Sequence, residues 1–174
     1  MKTIFLLRHA KSDWDHPDLA DFDRPLAKRG LNDAPLIGDV LLNFEVVPDK
    51  ILASPAKRAK QTAELVAKAC GYKKSIEWNE SFYGGSSEDL LGALRRLPDS
   101  VERVLLVGHN PIMEETAAAL LTGDEADLED ILAIKMPTAG LICLEAPVLD
   151  WSTLEPGDTI LRWFLIPRLL KALI

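Results

Sequence analysis

Five short runs of mainly apolar, often branched residues, Thr3–Leu7, Lys50–Ala53, Val104–Val107, Gly140–Glu145 and Thr159–Leu165, alternate with longer stretches of helical period. Short apolar runs bounded by turn residues read as strands, and amphipathic stretches between them read as helices. The pattern predicts helices over Gly30–Leu42, Pro55–Cys70, Glu88–Leu97 and Pro111–Leu121, with a short packing helix after Arg168. This alternation points to an α/β three-layer sandwich, in which a mostly parallel central sheet carries helices on both faces. Nothing repeats at a fixed period and no Gly/Ser-rich linker interrupts the 174 residues, although Pro147–Asp158 reads as a turn-rich connection. The expectation is a single domain over residues 1–174.

Charge narrows the partners. Twenty Lys and Arg stand against 27 Asp and Glu, a net charge of −7. Nonspecific nucleic-acid or anionic-membrane binding needs the opposite balance, so neither is expected, and any phosphate site must be a local exception. Cys70 and Cys143 stand alone in the sequence, without the spacing of a zinc site or a disulfide framework. The first apolar run is too short for a secretory core and no other run approaches a membrane span, so a cytoplasmic location is expected.

Ligands of an open α/β sheet gather outside the carboxyl ends of its strands. There the sequence places Arg8-His9, then Ser54-Pro55-Ala56-Lys57-Arg58, then Gly108-His109-Asn110-Pro111. Ser54 and Asn110, each before a proline, read as N-caps of helices whose amino ends would add backbone donors. Guanidinium groups bind phosphate through charge-assisted hydrogen bonds, and a neutral imidazole has a lone pair able to attack phosphorus. A second imidazole, if protonated, stabilises charge on the phosphoryl oxygens. Each residue alone has a bland reading, since an Arg-His pair is common and Arg58 fits an exposed first helical turn. Their joint placement past successive strands is what suggests an anion site. His16, in the acidic stretch Asp13–Asp23, reads as a solvated loop residue.

Leu6-Leu7-Arg8-His9-Ala10-Lys11-Ser12-Asp13-Trp14 resembles the signature segment of the histidine phosphatase superfamily, also called phosphoglycerate mutase-like. Ser54–Ala63 resembles its second motif and Gly108-His109 its third, and Asp23-Arg24-Pro25-Leu26 with Gly30 also fits. The short length and the Arg-His-Ala-Lys opening are most similar to the SixA-type phosphohistidine phosphatase branch. The resemblance implies that His9 is the phosphorylated nucleophile, Arg8 and Arg58 are phosphate ligands, and His109 is the second pocket histidine. It also brings Arg24 toward the phosphate, although Asp21 or Asp23 could equally pair with that arginine. No cofactor and no metal are implied.

Three departures bear on the reading. Ala10 replaces the usual glycine after the nucleophile and requires a backbone that an L-residue adopts. Asp15 and Ala27 stand where mutases of the family often have asparagine and threonine, which argues against mutase activity, Asp15 adding charge near a bound phosphate. Asn79-Glu80-Ser81-Phe82-Tyr83-Gly84 resembles the mutase segment that carries a general acid, so Glu80 is the candidate acid. Glu88 and Glu114 are its rivals, the first explained by a helix dipole and the second by an outward helical face. The stretch between Thr62 and Glu88 is too short for the lid insertions of larger members, which predicts an open pocket.

The expected function is a metal-independent phosphatase acting through phospho-His9, with a phosphorylated protein (phosphohistidine) as substrate. The alternatives are a phosphatase of small sugar or nucleotide phosphate esters with Glu80 as acid, and a noncatalytic phosphate-binding regulatory module. The oligomeric state is open, a monomer being favoured.

Overall fold

The computed structural model describes residues 1–121 and 135–172. Among the described residues the sheet has six strands: β1 (Lys2–Arg8), β2 (Lys50–Ala53), β3 (Glu77–Trp78), β4 (Arg103–Gly108), β5 (Leu141–Ala146) and β6 (Ile160–Leu165). They lie in the order β3-β2-β4-β1-β5-β6. β1 to β4 run parallel, whereas β5 pairs antiparallel with β1 and β6 pairs antiparallel with β5 at the sheet edge. The mostly parallel sheet is thus as expected, and the two-residue β3 is the strand that the apolar pattern missed, because both its residues are exposed.

Side chains of β1 alternate between the two faces with the period of two that a strand imposes. Ile4 and Leu6 enter a core with α3 (Ser81–Gly84), α4 (Ser87–Arg95) and α5 (Ile112–Leu120). Phe5 and Leu7 enter the other core, with α1 (Lys28–Asn43) and α2 (Lys57–Ala69). Burial on both faces explains why the parallel strands read as unbroken apolar runs. The C-terminal segment is a strand end followed by a short helix, α6 (Pro167–Ala172), whose Lys171 pairs with the buried Asp33 of α1.

Register is what builds the site. Arg8 lies opposite Gly108, and Ala53 opposite Val107. The chains leaving β1, β2 and β4 therefore emerge side by side, with His9 N–H donating to Gly108 O at 2.9 Å and Ser54 N–H to Val107 O at 2.9 Å. Gly30 seats α1 against the segment that follows His9, since a Cβ there would come within 2.2 Å of Lys11 O.

Two predicted N-caps are corrected. α2 begins at Lys57 after Ala56, and α5 begins at Ile112 after Pro111, neither with a side-chain cap. The Ser54 and Asn110 side chains are engaged in tertiary hydrogen bonds instead, described below. Ala10 is absent from the left-handed backbone positions, and its methyl group is buried. Among the described residues no helix is long and apolar enough to cross a membrane.

Candidate active site

Arg8, His9, Arg24, Arg58 and His109 line one cavity of ≈ 230 Å³ at the carboxyl end of the parallel strands. The two imidazoles lie 5.1 Å apart between ring centroids. Arg58, on the first turn of α2, points its Nε at His9 Nε2 across 3.4 Å. These residues come from sequence-distant elements and meet because parallel neighbours bring their carboxyl ends to one edge.

His9 Nδ1 lies 2.7 Å from Ala10 O. A carbonyl only accepts, so Nδ1 carries the proton and Nε2 keeps the lone pair, which accepts from Arg58 Nε. His9 is 6% exposed. Burial pushes its pKa down to about 3, the Ala10 hydrogen bond opposing, with His109, Arg58 and Arg8 adding to the depression. His9 is a neutral imidazole at pH 7, the state a nucleophile needs.

His109 Nε2 lies 2.7 Å from Ser54 Oγ, while its buried Nδ1 has no partner among the described residues. Burial first, then the charge of Arg58, lowers its pKa to about 4, against the raising effect of Asp21. In the free protein it is therefore neutral. An entering anion raises its proton affinity, because an opposite charge favours the cationic form.

Asp21 is the residue that sequence motifs underrated. Its carboxylate accepts from Arg24 at 2.6 Å, Arg58 at 3.0 Å and the Tyr83 hydroxyl at 3.0 Å. Its carbonyl also accepts from Arg58 at 2.7 Å. Desolvation works against ionisation there, but the hydrogen bonds from Arg24, Tyr83 and Arg58 prevail and hold the carboxyl at about 2. Arg24 lines the cavity while paired with Asp21. The i,i+3 spacing of Asp21 and Arg24 is the signal that was available.

Arg8 is held differently. Its Nη1 donates to Met136 O at 2.8 Å, and that carbonyl also accepts from Asn110 Nδ2 at 3.0 Å. Glu114 Oε1 ties the arrangement from behind, accepting from Asn110 Nδ2 at 2.8 Å and from Met136 N–H at 2.7 Å. Glu114 faces inward, so the outward helical face read from sequence is corrected. A neutral carbonyl orients Arg8 without cancelling its charge, as a direct carboxylate would. Ala139 adopts a left-handed conformation, φ 57°, with its N–H shared between Arg8 O and His9 O at 3.1 Å each.

Glu80 is not brought into the group. It is exposed at the start of α3 and is not among the residues lining the cavity, and Glu88 is exposed as well. Asp15 is exposed and is not among the residues lining the cavity, although its neighbour Trp14 is. The aromatic of that same segment, Tyr83, does reach the site, packing edge-on against His109 at 5.5 Å between centroids. His16 is an exposed loop residue beside Asp13, as expected. No group of three or more His, Cys, Asp or Glu side chains is placed to hold a metal among the described residues.

The family model of the histidine phosphatase superfamily (branch 1) matches residues 4–89. An uncharacterised protein of Mycobacterium tuberculosis (strain ATCC 25618 / H37Rv) is 34% identical over 93% of this chain and 100% of its own length. Phosphohistidine phosphatase SixA of Escherichia coli (strain K12) is 28% identical over 97% of this chain and 96% of its own. A solved structure from Agrobacterium tumefaciens, provisionally named phosphohistidine phosphatase SixA, superposes with a TM-score of 0.80 at 34% identity, covering 95% of this chain and 98% of that one. Matching motifs, fold and near full-length similarity agree, and the chain belongs to the histidine phosphatase superfamily, in its SixA-like branch.

Proposed function

We propose that this chain is a phosphatase in which His9 accepts a phosphoryl group covalently and passes it to water, and that the donor is phosphohistidine in a protein. The observation that carries the proposal is the state of His9 Nε2, a lone pair on a neutral, buried ring beside the Arg58 guanidinium. The lone pair forms an N–P bond as the donor's own P–N bond breaks, its electron pair leaving on the donor's ring nitrogen. Water then attacks phosphorus, the N–P bond breaks, and the pair returns to Nε2. Arg8, Arg24, Arg58 and the unpartnered Nδ1 edge of His109 surround the transferring group with charge and hydrogen-bonding capacity, the electrostatic work that dominates phosphoryl transfer.

The leaving group decides between substrates. An alkoxide needs a proton as it departs, supplied by an acid of raised pKa. Asp21, the carboxyl beside the arginines, is ionised at pH 7 and has no proton to give, and Glu80 is exposed outside the lining. An imidazole leaves as a neutral ring and needs that help less. The phosphohistidine phosphatase names of the relatives from Escherichia coli and Agrobacterium tumefaciens agree with this choice.

The test compares a phosphohistidine peptide with sugar and nucleotide phosphate esters. The wild-type protein is expected to release phosphate fastest from the peptide, and His9→Ala to lose turnover together with acid-labile labelling. Full activity in His9→Ala contradicts the mechanism. Ester hydrolysis that dominates and collapses in Glu80→Gln would favour the small-molecule reading.

A further inference from the structure

Trp14 is 67% exposed, yet it lines the cavity with His9 and Arg58. It does not hang free. The Arg24 guanidinium lies over its ring, 3.5 Å from the centroid. Arg24 is itself 7% exposed, and is fixed by Asp21 at 2.6 Å and Ser12 Oγ at 3.1 Å. The backbone around Trp14 is pinned as well. Asp13 N–H donates to Pro25 O at 2.8 Å, and Asp15 N–H donates to the Asp13 side chain at 2.8 Å. A large aromatic held by a buried cation and fixed at both flanks is preorganised, so little side-chain freedom is lost when something stacks on it.

In-line transfer places the departing group on the side of phosphorus opposite the nucleophile. His9 is buried, so the leaving group departs toward solvent, and Trp14 is the exposed aromatic among the residues lining the cavity. We infer that Trp14 is a stacking platform for the leaving group, selecting substrates whose phosphorus is bonded to a flat ring, with imidazole as the ring that fits the proposed function. The inference rests on the phosphatase reading above. A flat ring covers the apolar indole surface and gains from offset stacking, whereas an aliphatic amine leaves most of that surface wet.

The experiment uses two peptides that each carry a P–N bond, one as phosphohistidine and one as N-phosphoryl-lysine, and compares the ratio of their kcat/KM values between wild type and variants, so that the intrinsic difference in leaving groups cancels. Wild-type protein is expected to prefer the phosphohistidine peptide. Trp14→Leu is expected to cut that preference about tenfold, and Trp14→Phe to keep most of it, because an aromatic face survives. Inhibition by vanadate reports separately whether the phosphate pocket of each variant is intact. Equal losses on both peptides in Trp14→Leu would overturn the inference, since Trp14 would then act only by bracing Arg24. An absent wild-type preference would overturn it while the phosphatase reading stands. Failure to hydrolyse either peptide would overturn the reading, and the inference with it.

Discussion

His9 and His109 are held neutral by the same cause, removal from water among fixed guanidinium charges, with pKa values of about 3 and about 4 against an ordinary 6.5. The linkage has a definite sign. A group whose proton affinity falls on folding binds protons more readily in the unfolded chain, so stability is complete above the unfolded value and declines as pH falls below it. The protein is therefore expected to lose stability on acidification from about pH 6.5 toward pH 3, with Asp21 adding a loss in the lower part of that range. Urea denaturation across this range checks it, and His109→Ala should flatten part of the slope. NMR titration of the imidazole resonances gives the residue-level answer, since midpoints near 6.5 for both rings would contradict the burial argument. The tautomer of His9 is a property that motifs do not encode. It follows from the carbonyl of Ala10, which only the folded backbone brings to Nδ1.

At the scale of elements, two contacts hold the site from outside it. Gly30 brings α1 onto Lys11, and Gly30→Ala would force a methyl group to within 2.2 Å of Lys11 O. Overpacking of this kind costs about 1–3 kcal/mol, so the urea midpoint of Gly30→Ala should fall, and an unchanged midpoint would deny the close approach. Glu114 on α5 holds Met136 and Asn110, which orient Arg8. Glu114→Ala is expected to weaken phosphate or vanadate inhibition by about tenfold, the effect of losing an orienting hydrogen bond at a charged group. Glu114→Gln keeps an accepting oxygen and should restore most of it. A general acid at this position would instead leave vanadate inhibition of both variants near wild type while making both equally slow in turnover. The helix starts at Ser54-Pro55 and Asn110-Pro111 were legible to within a few residues, but the uses of both side chains were not. N-cap propensity is local, and tertiary partners, His109 for one and Glu114 with Met136 for the other, outcompete it.

For the whole molecule, the alternation of apolar runs made the α/β sandwich readable, and the strand-end positions of His9 and His109 made the site readable. Strand order was not, because β4 inserts between β1 and β2 and only pairing energetics across the sheet decide that. The antiparallel turn of β5 and β6 was equally hidden, since a strand's direction leaves no mark on its composition. A molecule of net charge −7 concentrates Arg8, Lys11, Arg24 and Arg58 on one cavity, so its anion site is the local exception that its composition requires. The account rests on covalent bond formation at one nitrogen of that cavity. A crystal structure of the wild-type protein with vanadate measures it most directly. The account predicts vanadium bonded to His9 Nε2, with its oxygens facing Arg8, Arg58 and His109. Vanadate bound elsewhere, or bonded to another side chain while His9 stands apart, would contradict it.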